Sequence, residues 1–247
     1  MNIPGFPFRL TFCALLFCAP AQAGPVRFSA GLWDYAVSGY EVDHGVRRDF
    51  ERDLAVKSDP RLQLALEYDW RESWYPDLAA RYSQYGGDGR VTASGATGGG
   101  LLSGGGDAVI NTRADLTDID ITARWPLELG PVLFSPGLTL KRLSGEVVIE
   151  DGARQTTTTQ SLDEIFPQFH AELYWNLHPR FALSATLQAV SYGENAANEW
   201  RALAVWQVYG PVQLQAGWQE KRLDTRQPDL ELHARLRGLL FQAGLIF

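Results

Sequence analysis

The residues of this chain that could do chemistry are few, and most carry charge rather than nucleophiles. The candidate bases are His44, His170, His178 and His233. His170 stands two residues before Glu172, a spacing that places both on one face of an extended strand. Hydrolysis needs a nucleophile beside a base, or paired acids that position a water. No serine in a recognisable lipase or acylase pattern accompanies the pair, and a hydrogen bond explains it more simply. His178 falls in a tight Pro turn, His44 in a polar connection and His233 near a strand end in Glu231-Leu232-His233. Asp115, Asp118 and Asp120 offer oxygen ligands for a hard divalent cation. Asp118 and Asp120 share a strand face but stand apart along it, so pairing with Arg81 or Arg124 is the favoured reading. No enzyme activity, metal or cofactor is expected.

The elements that must position these residues are strands. Leu62, Leu64, Leu66, Tyr68 and Trp70 alternate with Gln63, Ala65, Glu67 and Asp69. Ile119, Ile121, Ala123 and Trp125 oppose Asp118, Asp120, Thr122 and Arg124. Phe169, Ala171, Leu173, Trp175 and Leu177 oppose His170, Glu172, Tyr174 and Asn176. The same period of two recurs over 181–189 and 212–219, and it marks strands with one apolar face. Ten strands are predicted: 26–42, 60–72, 77–87, 108–126, 132–149, 161–177, 180–193, 198–209, 211–223 and 231–247. Eight or twelve are the alternatives, because strands one and eight alternate less cleanly.

The last residues decide what such a sheet is for. Leu239, Phe241, Ala243, Leu245 and Phe247 fall on one face of a strand long enough to cross a bilayer, for which about nine residues suffice. A strand that ends on an aromatic residue suits an insertion signal, carried by Phe241, Leu245 and Phe247. Short turns near 74–77, 127–131, 177–180 and 209–211 mostly alternate with longer connections at 43–59, 88–107, 150–160, 194–197 and 224–230. Short periplasmic turns and long outer loops alternate in this way in membrane barrels. Trp70, Trp74, Tyr75, Trp125, Trp175, Phe181, Tyr209 and Phe247 gather at the short-turn ends, as an interfacial girdle would. The expected fold is all-β, a transmembrane antiparallel up-and-down barrel.

The amino terminus agrees. Arg9, an apolar run from Leu10 to Ala19 and Ala21-Gln22-Ala23 form a secretory leader with cleavage after Ala23, leaving 24–247 as one barrel domain. Lipidation at Cys18 is the competing reading, and the bulky Phe17 before it fits poorly. Both cysteines lie in the leader, so the mature chain has no disulfide or thiolate chemistry. The net charge of −7 and the lack of a basic run argue against nucleic acid. The expected location is the outer membrane of a Gram-negative bacterium. The expected partners are its lipid and lipopolysaccharide, with the barrel assembly machinery during insertion.

If the apolar face meets lipid, the other face lines a lumen. That face holds Arg61, Glu67, Asp69, Arg71, Arg81, Asp118, Asp120, Arg124, Lys141, His170, Glu172 and Arg201, with Gln188, Gln207, Gln213 and Gln215. Opposed charges in a narrow interior pair, because an unpaired one costs several kcal/mol, on the order of a lost buried ion. A filled, rigid lumen is the first reading, and a narrow pore for small solutes is the alternative. Barrels of about eight strands are filled by side chains, and sixteen or more leave a channel. Outside the lumen, Arg47, Arg48 and Arg52 in the first long connection are candidates for lipopolysaccharide phosphate contact. The Gly-rich stretch 86–106 and Thr156–Thr159 read as outer loops.

Three blocks add a resemblance: Leu116-Thr117-Asp118-Ile119-Asp120; Leu143-Ser144-Gly145-Glu146-Val147 with Asp151-Gly152; and Ser191-Tyr192-Gly193-Glu194-Asn195. With the leader and the terminal Phe247 they resemble a family of small, uncharacterised proteobacterial outer-membrane barrels. The resemblance implies the fold and the location. It implies no activity and no catalytic residue.

Overall fold

Strands with one apolar and one polar face pair side by side and bend one sheet into a closed wall. A computed structural model describes residues 26–43, 46–51, 57–70, 74–93, 108–151, 156–193, 195–226 and 230–247. Ten long antiparallel strands form the wall: β1 (Val26–Asp43), β3 (Arg61–Tyr68), β4 (Asp77–Ala93), β5 (Ala108–Arg124), β7 (Val132–Asp151), β8 (Thr156–His178), β9 (Phe181–Tyr192), β10 (Asn195–Tyr209), β11 (Val212–Arg226) and β12 (Leu230–Ile246). Two short strands are appended. β2 (Val46–Asp49) folds back on β1, and β6 (Leu127–Leu129) pairs with β7 inside the turn read at 127–131.

Each long strand pairs with the next, and β12 returns to β1 from Arg27↔Ile246 to Asp43↔Leu230. Val26 and Phe247 exchange backbone hydrogen bonds of 3.2 and 2.8 Å at the foot of this seam. This seam closes the ring of ten strands, which is how a barrel disposes of its sheet edges in a membrane.

The outward face is apolar and uncovered. Leu32, Ile121, Leu140, Phe169, Leu187 and Phe241 are exposed there, Phe169 by 75%. A continuous belt of this kind is stable only against lipid. Trp70, Trp74, Trp125, Trp175, Phe181, Tyr209 and Phe247 are exposed at the short-turn end, and Phe181 stacks on Trp206 at 5.9 Å. At the far end the outward face turns polar. Arg142 grips Asp163 through two bonds of 2.9 and 3.0 Å, and Arg235 grips Glu220 at 2.8 and 3.0 Å.

Beyond those pairs the sheet continues. The β7–β8 hairpin carries strands of 20 and 23 residues, about twice the roughly 9–11 residues that a membrane-crossing strand needs. Thr156–Thr159, read as loop, therefore belongs to β8, and 86–93 of the Gly-rich stretch belongs to β4. Residues 94–107 of that stretch lie outside the described residues. The strands outlast the membrane because cross-strand backbone bonds continue where the outward side chains no longer need to be apolar.

Glycines on both strands, Gly31 and Gly39 of β1 and Gly238 of β12, set how tightly the seam closes. A Cβ on Gly238 of β12 would lie 1.9 Å from the Asp34 carbonyl oxygen and 2.5 Å from the Tyr35 Cα of β1. Gly238→Val should therefore reduce the fraction of refolded protein that migrates as a compact, heat-modifiable band on an unboiled gel. Gly210→Asn is the control. Gly210 has a φ of +50° and open space around its Cβ position, and Asn tolerates that backbone, so the band should be unchanged.

Candidate functional site in the barrel lumen

The inward residues form three layers along the lumen. The lowest, at the short-turn mouth, is organised by two arginines. Arg27 holds Asp69 at 2.9 and 3.0 Å and Glu67 at 3.2 Å. Arg124 binds Glu67 at 2.6 Å and also Glu172, with Asp69 at 3.7 Å. Neighbouring strands bring these residues together: the register sets Arg27 beside Glu67, and Glu172 stands two residues along β8 from His170, which shares the row of Arg124 through Gly137 of β7.

The middle layer is the most buried. Register places Asp120 between Arg81 and Lys141 in one row across β4, β5 and β7. Glu199 on β10 reaches across the lumen to Arg81 at 2.6 Å and to Lys141 at 3.1 Å, with Lys221 of β11 at 3.5 Å. Lys141 also meets Asp118 at 3.2 Å and Asp120 at 2.9 Å, and Lys221 binds Asp118. Three carboxylates and three cations thus share one compartment, with Asp118 and Asp120 each only 1% exposed. Amides complete the crossing. Gln63 of β3 donates to Gln219 of β11 at 3.1 Å across two intervening strands, and Gln219 donates to Glu199 at 3.4 Å.

The upper layer is apolar. Tyr35, Tyr85, Leu143 and Leu236 form it, packed with fully buried Trp33 and Leu240 and with Leu203, which lie lower on their strands. Lys221 joins the two layers, its ammonium 5.6 Å from the Trp33 ring centre and 4.9 Å from that of Tyr85. The Tyr35 hydroxyl donates to the Gly86 carbonyl at 2.7 Å and accepts from its N–H at 2.6 Å.

The inward set read from the sequence is largely brought together here, with corrections. Asp118 pairs with Lys141 and Lys221 rather than with Arg81 or Arg124, and Asp120 with Arg81 at 3.6 Å and Lys141. Asp115 is 61% exposed and meets Arg61 at 3.6 Å, so the three aspartates do not converge on a cation. His170 and Glu172 stand 3.9 Å apart, too far for a hydrogen bond. Gln207 turns to the Gly210 carbonyl in the turn. Arg71, Arg52 and His44 lie outside the described residues, and Arg47 is exposed with its guanidinium 3.6 Å over the Tyr40 ring. Phe241, Leu245 and Phe247 face outward, exposed.

Sequence reasoning missed Arg27, Glu199 and Lys221. Glu199 continues the parity of Arg201, and Lys221 continues that of Gln213, Gln215 and Gln219, so one more step of two along each strand reaches both. Below the middle layer a cavity of about 50 Å³ remains between Arg124, His170 and Arg201.

Removing one member of the middle layer leaves an uncompensated buried charge. Glu199→Gln should cost about 3–5 kcal/mol in urea unfolding from vesicles. Glu199→Leu combined with Lys221→Met should cost less than Glu199→Leu alone, because the remaining charges balance.

Comparison with known proteins bears on the fold. No protein-family model and no curated protein sequence matches this chain. Among solved structures it is similar to the outer membrane protease OmpT from Escherichia coli, at 8% identity and a TM-score of 0.58, over 90% of this chain and 97% of that one. It is also similar to the translocator domain of the autotransporter NalP from Neisseria meningitidis, at 12% identity and 0.49, over 91% and 88%. Ail from Yersinia pestis is similar at 12% identity and 0.39, over 91% and 99%. At such identities the likeness is one of architecture. The chain has the fold of an outer-membrane β-barrel, built here from ten long strands.

Proposed function

We propose that this chain is an outer-membrane barrel whose lumen does not conduct, and whose role lies in what its outer rim presents. The observation that carries this reading is the buried middle layer. Three acids and three cations, crossed by Gln63–Gln219, fill the section of the lumen beside fully buried Trp33 and Leu240. An open pore would instead leave such groups to water. The role is structural or surface-binding, and the natural contact of the rim is the phosphate-bearing lipopolysaccharide of the outer leaflet.

Catalysis is not part of this reading. OmpT is a protease, but its likeness to this chain is one of fold. Both ring nitrogens of His233 face carboxylates, Asp224 at 2.7 Å and Glu231 at 2.9 Å, which fits a clasp between β11 and β12. One observation favours a second reading, a narrow pore for small solutes: the cavity below the middle layer is polar and lies toward the short-turn mouth.

Single-channel recording in planar bilayers separates the two. The refolded mature protein, verified by heat-modifiable mobility, should be silent, and steady openings proportional to salt would establish the pore instead. For the rim, Arg47→Ser, Arg48→Ser and Arg52→Ser combined should weaken co-sedimentation with lipopolysaccharide. Unchanged binding would remove this segment as the contact.

A further inference from the structure

Arginines dominate the wall of the cavity beneath the middle layer. Arg27, Arg81, Arg124 and Arg201 bring guanidinium groups to it, against the carboxylates of Glu67 and Glu172. Both carboxylates are held by Arg124, Arg27 is held by Asp69 and Glu67, and Arg81 is turned to Glu199 and Asp120. Arg201 is placed differently. It sits on β10 between Thr186 and Gln219, its side chain 14% exposed. Its Nε is buried without a hydrogen-bond partner. Its one ion pair among the described residues is a 3.9 Å approach to Glu199, a carboxylate already engaged by Arg81 and Lys141.

His170 lines the same cavity. Its side chain is 3% exposed and its Nε2 also has no hydrogen-bond partner. A buried donor without an acceptor costs about 1–3 kcal/mol, more when it is charged. Water can accept from such donors but does not neutralise them. The space is small: about 50 Å³ admits roughly three or four water-sized bodies. The acceptor that fits is small and negative.

We propose that this cavity is a binding site for a small inorganic anion of halide size. Arg201 holds the anion, His170 and the Thr186 hydroxyl stand as further donors, and the anion enters from the short-turn mouth. The bound anion ties β8, β9 and β10 beneath the charged layer. The proposal does not depend on whether the lumen conducts.

Chloride is the probe. Thermal unfolding of the mature protein in detergent is compared in sodium chloride and in sodium gluconate at equal ionic strength, so that general screening cancels. The wild type should melt higher in chloride, by about 3 °C at concentrations far above the dissociation constant, and Arg201→Gln should lose that difference. No chloride-specific gain in the wild type overturns the proposal, and so does an equal gain in Arg201→Gln. Should Arg201→Gln fail to fold, crystals of the wild type grown in bromide decide. An anomalous peak within hydrogen-bond distance of the Arg201 guanidinium supports the site, and its absence rejects it.

Discussion

The carboxylate of Glu199 is the point on which the rest of the interior leans. It lies within 2.6, 3.1 and 3.5 Å of cations carried by β4, β7 and β11 while standing on β10. These strands are spread around the wall, so the contacts run across the lumen. A charge in this compartment is remote from bulk water and depends on its neighbours for compensation. Opposite walls are therefore held at a fixed separation, and the barrel can neither widen nor flatten without stranding a charge.

The wall sets that constraint. Lipid demands apolar side chains outside, and a period of two then turns every second residue inward. Ten strands enclose a lumen that side chains can fill. Its lower part is filled by ion pairs on Arg27 and Arg124, its middle by the Glu199 compartment with Trp33 and Leu240, and its upper part by Tyr35, Tyr85, Leu143 and Leu236. Lys221 works in two of these layers, binding Asp118 while facing two aromatic rings. The apolar cluster packs against the charges and keeps water from them, which strengthens each pair.

Most of the wall was legible because its outward face is apolar where lipid touches it. Strands β3, β5, β8, β9 and β11 announced both their existence and their facing. Legibility faded where that contrast faded. Inside β1, Trp33, Tyr35 and Val37 point inward among apolar neighbours, so alternation is blurred and Arg27 went unseen. Above the lipid, Arg142, Asp163 and the threonines of β8 carry no apolar stripe, yet backbone pairing extends the sheet. Glu199 and Lys221 lie inside the expected strands 198–209 and 211–223, one step of two beyond the inward residues that the alternation marks.

By itself the sequence determined that this chain forms alternating strands, which face of each meets lipid and which faces in, and that the inward face is charged but nearly neutral. These follow from local spacing, since parity along a strand needs no knowledge of its neighbours. Only the tertiary structure decided which charge meets which. Arg81 and Glu199 are separated by 118 positions and meet at 2.6 Å. Their height and their position around the wall depend on the register of every intervening pair and on the closure of β12 against β1. The accumulated stagger of a closed sheet is a property of the whole ring, so no stretch of sequence carries it alone.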